Sequence, residues 1–333
     1  MRTVIKSTAP LVYVGLAILL QACSQQEIPG TPSRGIVQIA EDLYRVQDDF
    51  HFTVFLVTPE GIILGDPINA DAAMWLKGEL AERFDVPVRY VLYSHYHWDH
   101  ASGAQVFDDT ATIIGHANMP IALADAIATF PVQVTLVDAN GDQKFDREEV
   151  SGELAQDFDE IDTNGDGFLD GGEILVDVML PEVLYTERMT ITLGGKTVEL
   201  IHPGPSHSTD TTVLLFPEQR TIYGVDFLNV QRLAFGFPGD GTLQQWIDSL
   251  RAVEALDFDI VSPGHSTVGT KEDLAAYREY FEDLQAVVTD AVDSGTTLVD
   301  LLSSDVLTDY SDLPNYDPQR DRNIEEAYNL LTQ

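Results

Sequence analysis

The densest group of chemically active side chains lies at residues 93–100, YSHYHWDH, which contain three of the chain's eight histidines. The apolar run before this segment predicts a buried strand. Alternate side chains of an extended segment share a face, so His95 and His97 are expected to point at one spot. Asp99 and His100 would address a neighbouring spot where the chain bends. Imidazole and carboxylate groups at this density favour a divalent-metal site over an ordinary polar loop.

Two glycine-containing turns and one strand end carry further candidate ligands. His207 lies in GPSHSTD and His265 lies in SPGHS, and glycine lets the backbone approach a ligand closely. Asp226 ends the apolar run TIYGV, where a buried carboxylate needs a partner and a metal is a natural one. These positions extend the predicted metal site to seven side chains.

These motifs and their order resemble the metallo-β-lactamase fold superfamily over about residues 36–290. The resemblance implies an α/β fold, a four-layered αβ/βα sandwich of two back-to-back sheets with helices outside and the site at one edge. It implies two divalent transition metals, expected to be Zn²⁺, and a strand-end aspartate, Asp66, that orients the metal loop. The implied first-metal ligands are His95, His97 and His207, the second-metal ligands are Asp99, His100 and His265, and Asp226 is the bridge.

The resemblance also implies a metal-dependent hydrolase that acts on a small-molecule substrate. Hydroxide held between the metals would attack an ester, thioester, lactone or amide bond, with Asp99 as the catalytic residue that orients it. The ligand set resembles glyoxalase II-type thioesterases and lactonases, and β-lactamase activity stays an alternative. Two others are a mononuclear iron persulfide dioxygenase using His95, His207 and Asp226, and a calcium-dependent binding lipoprotein without catalysis.

An acidic segment breaks the alternation of strands and helices and predicts an insertion over 131–180. Its sequence DTNGDGFLDGGE, residues 162–173, matches an EF-hand calcium loop, and DANGDQKFDREE, residues 138–149, matches it except for Gln143 at the glycine position. We expect the two loops to form a dockerin-like pair that binds one or two Ca²⁺. The calcium is expected to stabilise the fold of the insertion and not to act as a signal. The candidate ligands are Asp138, Asn140, Asp142, Lys144, Asp146, Glu149, Asp162, Asn164, Asp166, Phe168, Asp170 and Glu173, with position 7 of each loop contributing its backbone carbonyl.

The N-terminus predicts export. A basic start precedes an apolar run, residues 11–20, that is too short to span a bilayer. Cys23, the only cysteine, follows in a segment that resembles a bacterial lipobox, so we predict a lipid anchor there on the periplasmic side of a bacterial membrane. The outer membrane is one candidate, and a soluble periplasmic protein is the alternative. The predicted domains are a signal peptide at 1–22, a tether at 23–35, a metallo-β-lactamase fold domain at 36–130 and 181–333, and the EF-hand-pair insertion at 131–180.

Composition limits the partners. The chain has 55 acidic and 18 basic residues and a formal net charge of −37, which argues against nucleic acid as a partner. Among the remaining histidines, His51 precedes a strand and is a candidate pocket residue, whereas His116 and His202 are expected to be structural. The apolar periodicity predicts helices over 72–84, 243–256 and 274–292.

Overall fold

The computed structural model describes residues 33–129, 144–150, 154–155, 158–175, 177–235 and 241–332. The predicted signal peptide, the lipid-anchor position Cys23 and the calcium-loop residues Asp138, Asn140 and Asp142 lie outside the described residues. The described chain belongs to one compact unit, Ser33–Gln333. None of the helices in this described part is both long enough and apolar enough to cross a membrane.

Two β-sheets form the centre of the fold. The strands of the first sheet are β1 (Arg34–Ala40), β2 (Leu43–Asp48), β3 (His51–Thr58), β4 (Gly61–Leu64), β5 (Val88–Leu92), β6 (Thr112–His116) and β7 (Val183–Tyr185). They lie side by side in chain order, antiparallel from β1 to β4 and parallel from β4 to β7.

The second sheet follows along the chain. Its strands are β8 (Arg188–Leu193), β9 (Lys196–Ile201), β10 (Val213–Phe216), β11 (Thr221–Gly224), β12 (Ile260–Pro263) and β13 (Gly269–Thr270). They are arranged in the order β13-β12-β11-β10-β9-β8, and only β11 and β12 pair in parallel.

Helices follow and connect the strands. Their bounds are α1 (Ala70–Arg83), α2 (Trp98–Ala101), α3 (Met119–Thr129), α4 (Phe158–Ile161), α5 (Gly171–Ile174), α6 (Leu243–Glu254), α7 (Lys271–Ser294), α8 (Leu298–Leu302) and α9 (Tyr316–Thr332). Short 3₁₀ turns lie at Ala104–Phe107 and Thr308–Tyr310. Capping boxes begin α6 and α7, and α7 ends at Gly295 in the left-handed conformation.

Three apolar cores stack these elements into four layers. The central core lies between the two sheets and combines residues of both, such as Leu56 and Leu92 from the first and Leu200 and Tyr223 from the second. A second core packs α1 and α3 on the outer face of the first sheet, and a third packs α6, α7 and α9 on the outer face of the second sheet. The predicted four-layered αβ/βα sandwich is therefore confirmed.

A small fourth core lies within the acidic segment. Phe145, Phe158 and Leu169 are fully buried in it, and Trp98 of α2 packs against it. The backbones of Phe145 and Leu169 exchange two hydrogen bonds, of 3.0 and 2.9 Å. The acidic segment therefore contacts the element that carries the histidine motif.

Candidate metal centre

The histidine motif follows β5, and Asp66 fixes the start of the motif through hydrogen bonds. The Asp66 carboxylate accepts hydrogen bonds from the Ser94 backbone N–H at 2.7 Å and from the Tyr223 hydroxyl at 2.8 Å. Burial raises the pKa of Asp66 to about 6. After Ser94 the chain continues to His97, which caps the single helical turn α2. The turn contains His100, whose side chain is fully buried.

Three histidines and Asp226 form the first group of converging side chains. The Nε2 atoms of His95 and His207 lie 3.3 and 3.2 Å from Asp226 Oδ2. The His207 Nε2 atom also lies 2.9 Å from His97 Nδ1. The Ser94 hydroxyl lies 2.9 Å from His95 Nδ1, so the other ring nitrogen of His95 faces the group.

Asp99, His100, His265 and Asp226 form the second group. The His265 Nε2 atom lies 3.0 Å from Asp226 Oδ1 and 2.9 Å from His100 Nε2. Asp99 Oδ2 lies 3.5 Å from His100 Nε2 and 3.6 Å from His265 Nε2. His265 Nδ1 lies 3.0 Å from the Phe50 carbonyl, which leaves Nε2 for the group.

Asp226 is common to both groups and presents a different oxygen to each. It follows β11 with a backbone φ of 64°, the left-handed region that few residues other than glycine adopt. Although burial opposes ionisation, His265, His100 and His207 hold the pKa of Asp226 well below its ordinary value. The strained backbone and the ionised carboxylate together place a negative charge between two sets of imidazoles.

The histidines of the first group are suited to bind a cation. Burial lowers the pKa of His95 to about 4, and burial with the neighbouring His95 lowers the pKa of His97 well below its ordinary value. Both rings are therefore neutral near pH 7 and keep a lone pair available. Metal ligation requires this neutral form of imidazole.

The spacing of these atoms fits two divalent metal ions. The ligand atoms of each group lie within 4.8 Å of one another. A tetrahedral site with bonds of about 2.0–2.1 Å places neighbouring ligand atoms about 3.3 Å apart, close to the separations within both groups. Asp99 Oδ1 is buried without a hydrogen-bond partner. Unsatisfied buried atoms of this kind are what an ion would satisfy.

His51 adds an imidazole beside the second group. Its Nε2 atom lies 3.5 Å from Asp99 Oδ2, and its ring packs edge-on against His265 with centroids 4.8 Å apart. The structure thus brings His51 to the candidate centre, where the sequence identified it only as a pocket candidate.

Two arginines hold the turn that carries His265. The Arg45 Nη2 group on β2 donates hydrogen bonds to the carbonyls of Pro263 and Ser266, and the Arg232 Nη1 group donates to the His265 carbonyl at 3.0 Å. Sequence reasoning missed both arginines, because neither lies in or beside a histidine motif.

The remaining residues of these motifs stabilise turns. The hydroxyls of Ser206 and Ser208 lie 3.4 and 3.1 Å from Thr211 Oγ1, within the turn that carries His207. His116 and His202 stack with ring centroids 4.1 Å apart, and neither belongs to a metal group.

The second predicted calcium loop, residues 162–173, is tightly folded. Asp162 accepts backbone hydrogen bonds from Gly165, Asp166 and Gly167, and Gly165 and Gly167 have φ of 71° and 84°. The Glu173 carboxylate accepts from the Asn164 and Asp170 backbones.

The described part of the first calcium loop lies against the second. Lys144 Nζ lies 3.0 Å from Asp166 Oδ2, and the Glu149 carboxylate accepts from the Asp146 backbone N–H at 3.2 Å. The Lys144 contact and the backbone bridge between Phe145 and Leu169 place the described part of the first loop, residues 144–149, beside the second loop.

The sequence and the site identify the family. A family model for the Metallo-beta-lactamase superfamily matches residues 65–265, which include all seven side chains of the two groups. The chain belongs to the metallo-beta-lactamase superfamily.

Two curated proteins are similar to parts of this chain. The 2,4-dinitroanisole O-demethylase subunit alpha of Nocardioides sp. (strain JS1661) is 30% identical over 112 residues, 34% of either chain. The linear primary-alkylsulfatase of Pseudomonas sp. (strain ATCC 19151) is 24% identical over 243 residues, 70% of this chain and 44% of that protein. The chain therefore spans less than half the length of these relatives.

A solved structure shares the fold. The metallo-beta-lactamase from Pontibacter korlensis superposes with a TM-score of 0.55 at 15% identity, and the match covers 75% of this chain and 99% of that one. This similarity shows the shared architecture and says nothing about the substrate.

Proposed function

We propose that the protein is a dinuclear zinc hydrolase that cleaves an ester, thioester, lactone or amide bond of a small molecule outside the cytoplasm. The observation that carries the proposal is the pair of His/Asp groups that share the Asp226 carboxylate. A structural role alone would leave buried polar atoms such as Asp99 Oδ1 without a partner, which costs free energy. The family match over residues 65–265 supports hydrolysis as the reaction class.

The chemistry that divalent metals supply when bound is Lewis acidity and a lowered pKa for water. His95, His97 and His207 would hold the first ion and Asp99, His100 and His265 the second, with Asp226 between them. Asp99 would also orient the attacking water, because its Oδ1 atom is free of hydrogen bonds while its Oδ2 atom faces His51, His100 and His265. Asp66 and Ser94 keep the loop in place for this role.

Two observations bear on alternatives. A mononuclear iron dioxygenase would use His95, His207 and Asp226 and would leave the second group without a role, so the second group favours the dinuclear hydrolase. The alkylsulfatase relative adds sulfate esters as a further class of substrate to be tested.

The test is hydrolysis by the purified full-length protein with and without zinc, across esters, thioesters, lactones, β-lactams and primary alkyl sulfates. We expect zinc-dependent cleavage of at least one class and its loss in His97→Ala. A matched control is His202→Ala, which removes an imidazole outside both groups. Hydrolysis that persists in His97→Ala, or iron-dependent oxygen uptake with a persulfide, would reject the dinuclear hydrolase.

We further propose that the loop at residues 162–173 binds Ca²⁺, with the paired loop at residues 138–149 as a second site. The support is its agreement with an EF-hand sequence, its turn glycines with positive φ and the backbone bridge between Phe145 and Leu169. Calcium would displace Lys144 from Asp166 and hold the small core of the acidic segment together. Calcium titration into metal-free protein reloaded with zinc should raise the melting temperature and protect residues 144–175 from protease. If calcium changes neither the melting temperature nor the protease resistance, calcium does not stabilise this segment.

The location is a separate proposal. Export with a lipid anchor at Cys23 predicts that the wild-type protein sediments with bacterial membranes and that Cys23→Ala is released to the periplasm. A Cys23→Ala variant that stays membrane-bound would contradict the anchor.

A further inference from the structure

Arg45 is a partly buried cation on β2. Burial lowers the pKa of Arg45 to about 10, so the guanidinium stays charged at neutral pH. No carboxylate among the described residues forms an ion pair with it, although the chain has 55 acidic residues. By contrast, the exposed Arg220 contacts both Asp257 and Asp259, at 2.9 and 2.6 Å.

The neutral partners of Arg45 satisfy only part of its donor capacity. Its Nη2 group donates to the carbonyls of Pro263 and Ser266, and its Cζ atom lies 3.6 Å from the centre of the Phe52 ring. Its Nε atom is buried and has no hydrogen-bond partner. A partly buried guanidinium that contacts only carbonyls and an aromatic ring lacks a counter-charge, and an anion in contact with its accessible edge would supply one.

Arg45 lines a cavity of about 630 Å³ beside the second metal group. Phe50 and Phe52 give the cavity an apolar wall, and His265 joins it to the candidate metal centre. The Phe50 side chain is 81% exposed, so this wall is open to solvent. Asp49 also lines the cavity, and its Oδ1 atom accepts a hydrogen bond from the Ser33 backbone at 2.6 Å.

We propose that this cavity is a subsite for an oxyanion, such as a carboxylate, sulfate or sulfonate, which Arg45 binds while an apolar portion of the same molecule packs on Phe50 and Phe52. Assigning that molecule as the substrate rests on the proposed hydrolase. The anion-binding property does not, because it depends only on Arg45 and the cavity wall. The subsite selects anionic amphiphiles as the substrate class of the metal centre.

The net charge of the whole protein makes a local positive site necessary for anion binding. At a net charge of −37 the protein repels anions in general, so anion binding requires a local positive site. Guanidinium groups bind carboxylate and sulfate-type oxygens through charge-assisted hydrogen bonds, and an apolar wall adds affinity for an attached alkyl chain.

The experiment is calorimetric titration of octane-1-sulfonate into the zinc-loaded full-length protein. Binding does not involve bond cleavage, so its outcome is independent of the hydrolase proposal. We expect octane-1-sulfonate to bind, octan-1-ol and octyltrimethylammonium to bind far more weakly, and Arg45→Met to reduce sulfonate affinity by about tenfold or more. Arg83→Met, which removes a surface arginine paired with Glu79, is the matched control and should bind as wild type does.

Further variants separate this subsite from other roles. Phe50→Ala removes an exposed ring, so folding is preserved, and it should weaken binding of octane-1-sulfonate but not of ethanesulfonate. Arg45→Lys keeps the charge and should retain part of the affinity. The proposal is overturned if Phe50→Ala has no effect on octane-1-sulfonate, or if sulfonate binding requires zinc and ignores Arg45, which would place the anion on the metals. It is also overturned if Arg45→Met weakens zinc binding but leaves sulfonate binding unchanged, because Arg45 would then only position the turn that carries His265.

Discussion

Asparagine at position 226 would remove the charge at the centre of the site with little disturbance of its shape. Asp226 has φ of 64°, and asparagine tolerates this left-handed conformation better than other residues with a side chain. The substitution keeps the volume and takes away the carboxylate that faces both groups, at 3.2 Å from His207 Nε2 and 3.0 Å from His265 Nε2. The backbone strain therefore stays constant while the ligand changes.

The expected magnitude follows from linkage between metal binding and folding. Loss of even an outer-shell partner costs about 10–100-fold in metal affinity, so losing a shared ligand should cost about 100-fold or more. At a fixed zinc concentration, a 100-fold change corresponds to about 2.7 kcal/mol of metal-dependent stabilisation. For the unit Ser33–Gln333, an unfolding entropy of about 2.1 cal/mol/K per residue converts this to a loss of about 4 °C in the zinc-induced rise of the melting temperature.

The assay compares melting temperatures with and without zinc, so any effect of Asp226→Asn on the metal-free protein cancels. Asp248→Asn on the surface of α6 is the matched control, because it makes the same chemical change beside Arg251 and away from the site. If Asp226→Asn keeps the full zinc-induced rise of the wild type, the carboxylate does not bridge two metals and the reasoning fails.

Three further changes test neighbouring parts of the account. The His116 Nδ1 atom accepts the Asn118 backbone N–H, and burial lowers the pKa of His116. His116 therefore takes up a proton near pH 6.5 in the unfolded chain but only at lower pH in the folded protein. As a result, the free energy of unfolding falls as the pH is lowered below about 6.5. His116→Gln should flatten this fall in urea unfolding between pH 7.5 and 5, and an unchanged slope would contradict it. Tyr223→Phe removes the hydrogen bond to buried Asp66 and should cost about 1–3 kcal/mol in the free energy of unfolding, whereas Tyr310→Phe, which loses an exposed hydrogen bond to Asp283, should cost less. Equal costs would refute this role. Glu173→Gln should abolish calcium-induced thermal stabilisation, and a retained shift would argue against that carboxylate as a ligand.

Short contiguous motifs made the candidate site readable from the sequence. The segment around His95 places several ligand types within one turn, and the turns carrying His207 and His265 each follow a strand. The strand ends that carry these residues belong to both sheets and meet at one edge of the sandwich, and residues far apart in the chain could be assigned to one site through their resemblance to a known family. The assignment of each side chain to a metal stays a prediction, and the structure shows that the side chains converge.

Contacts that depend on packing across the sandwich could not be predicted in this way. Arg45 reaches the His265 turn because β2 lies near the end of β12, and nothing in the residues around Arg45 encodes that proximity. The hydrogen bond of Tyr223 to Asp66 likewise joins the two sheets through their central core.

The ends of helix α7 are set by capping residues, which the spacing of apolar residues does not reveal. The helix predicted over 274–292 begins at Lys271, because Thr270 and Asp273 form a capping box before the apolar pattern starts. It extends to Ser294 and ends at Gly295, whose φ of 74° is the usual left-handed stop. Capping residues therefore fix bounds that the apolar spacing leaves open.

The most direct test of the central claim is the zinc content of the full-length protein after removal of all metal and reloading with zinc, measured by mass spectrometry of the metal alongside protein concentration. The account predicts about two zinc ions per chain for the wild type and a loss of zinc in His97→Ala. Zinc binding by the wild type that is absent, or that is unchanged by His97→Ala, would contradict it.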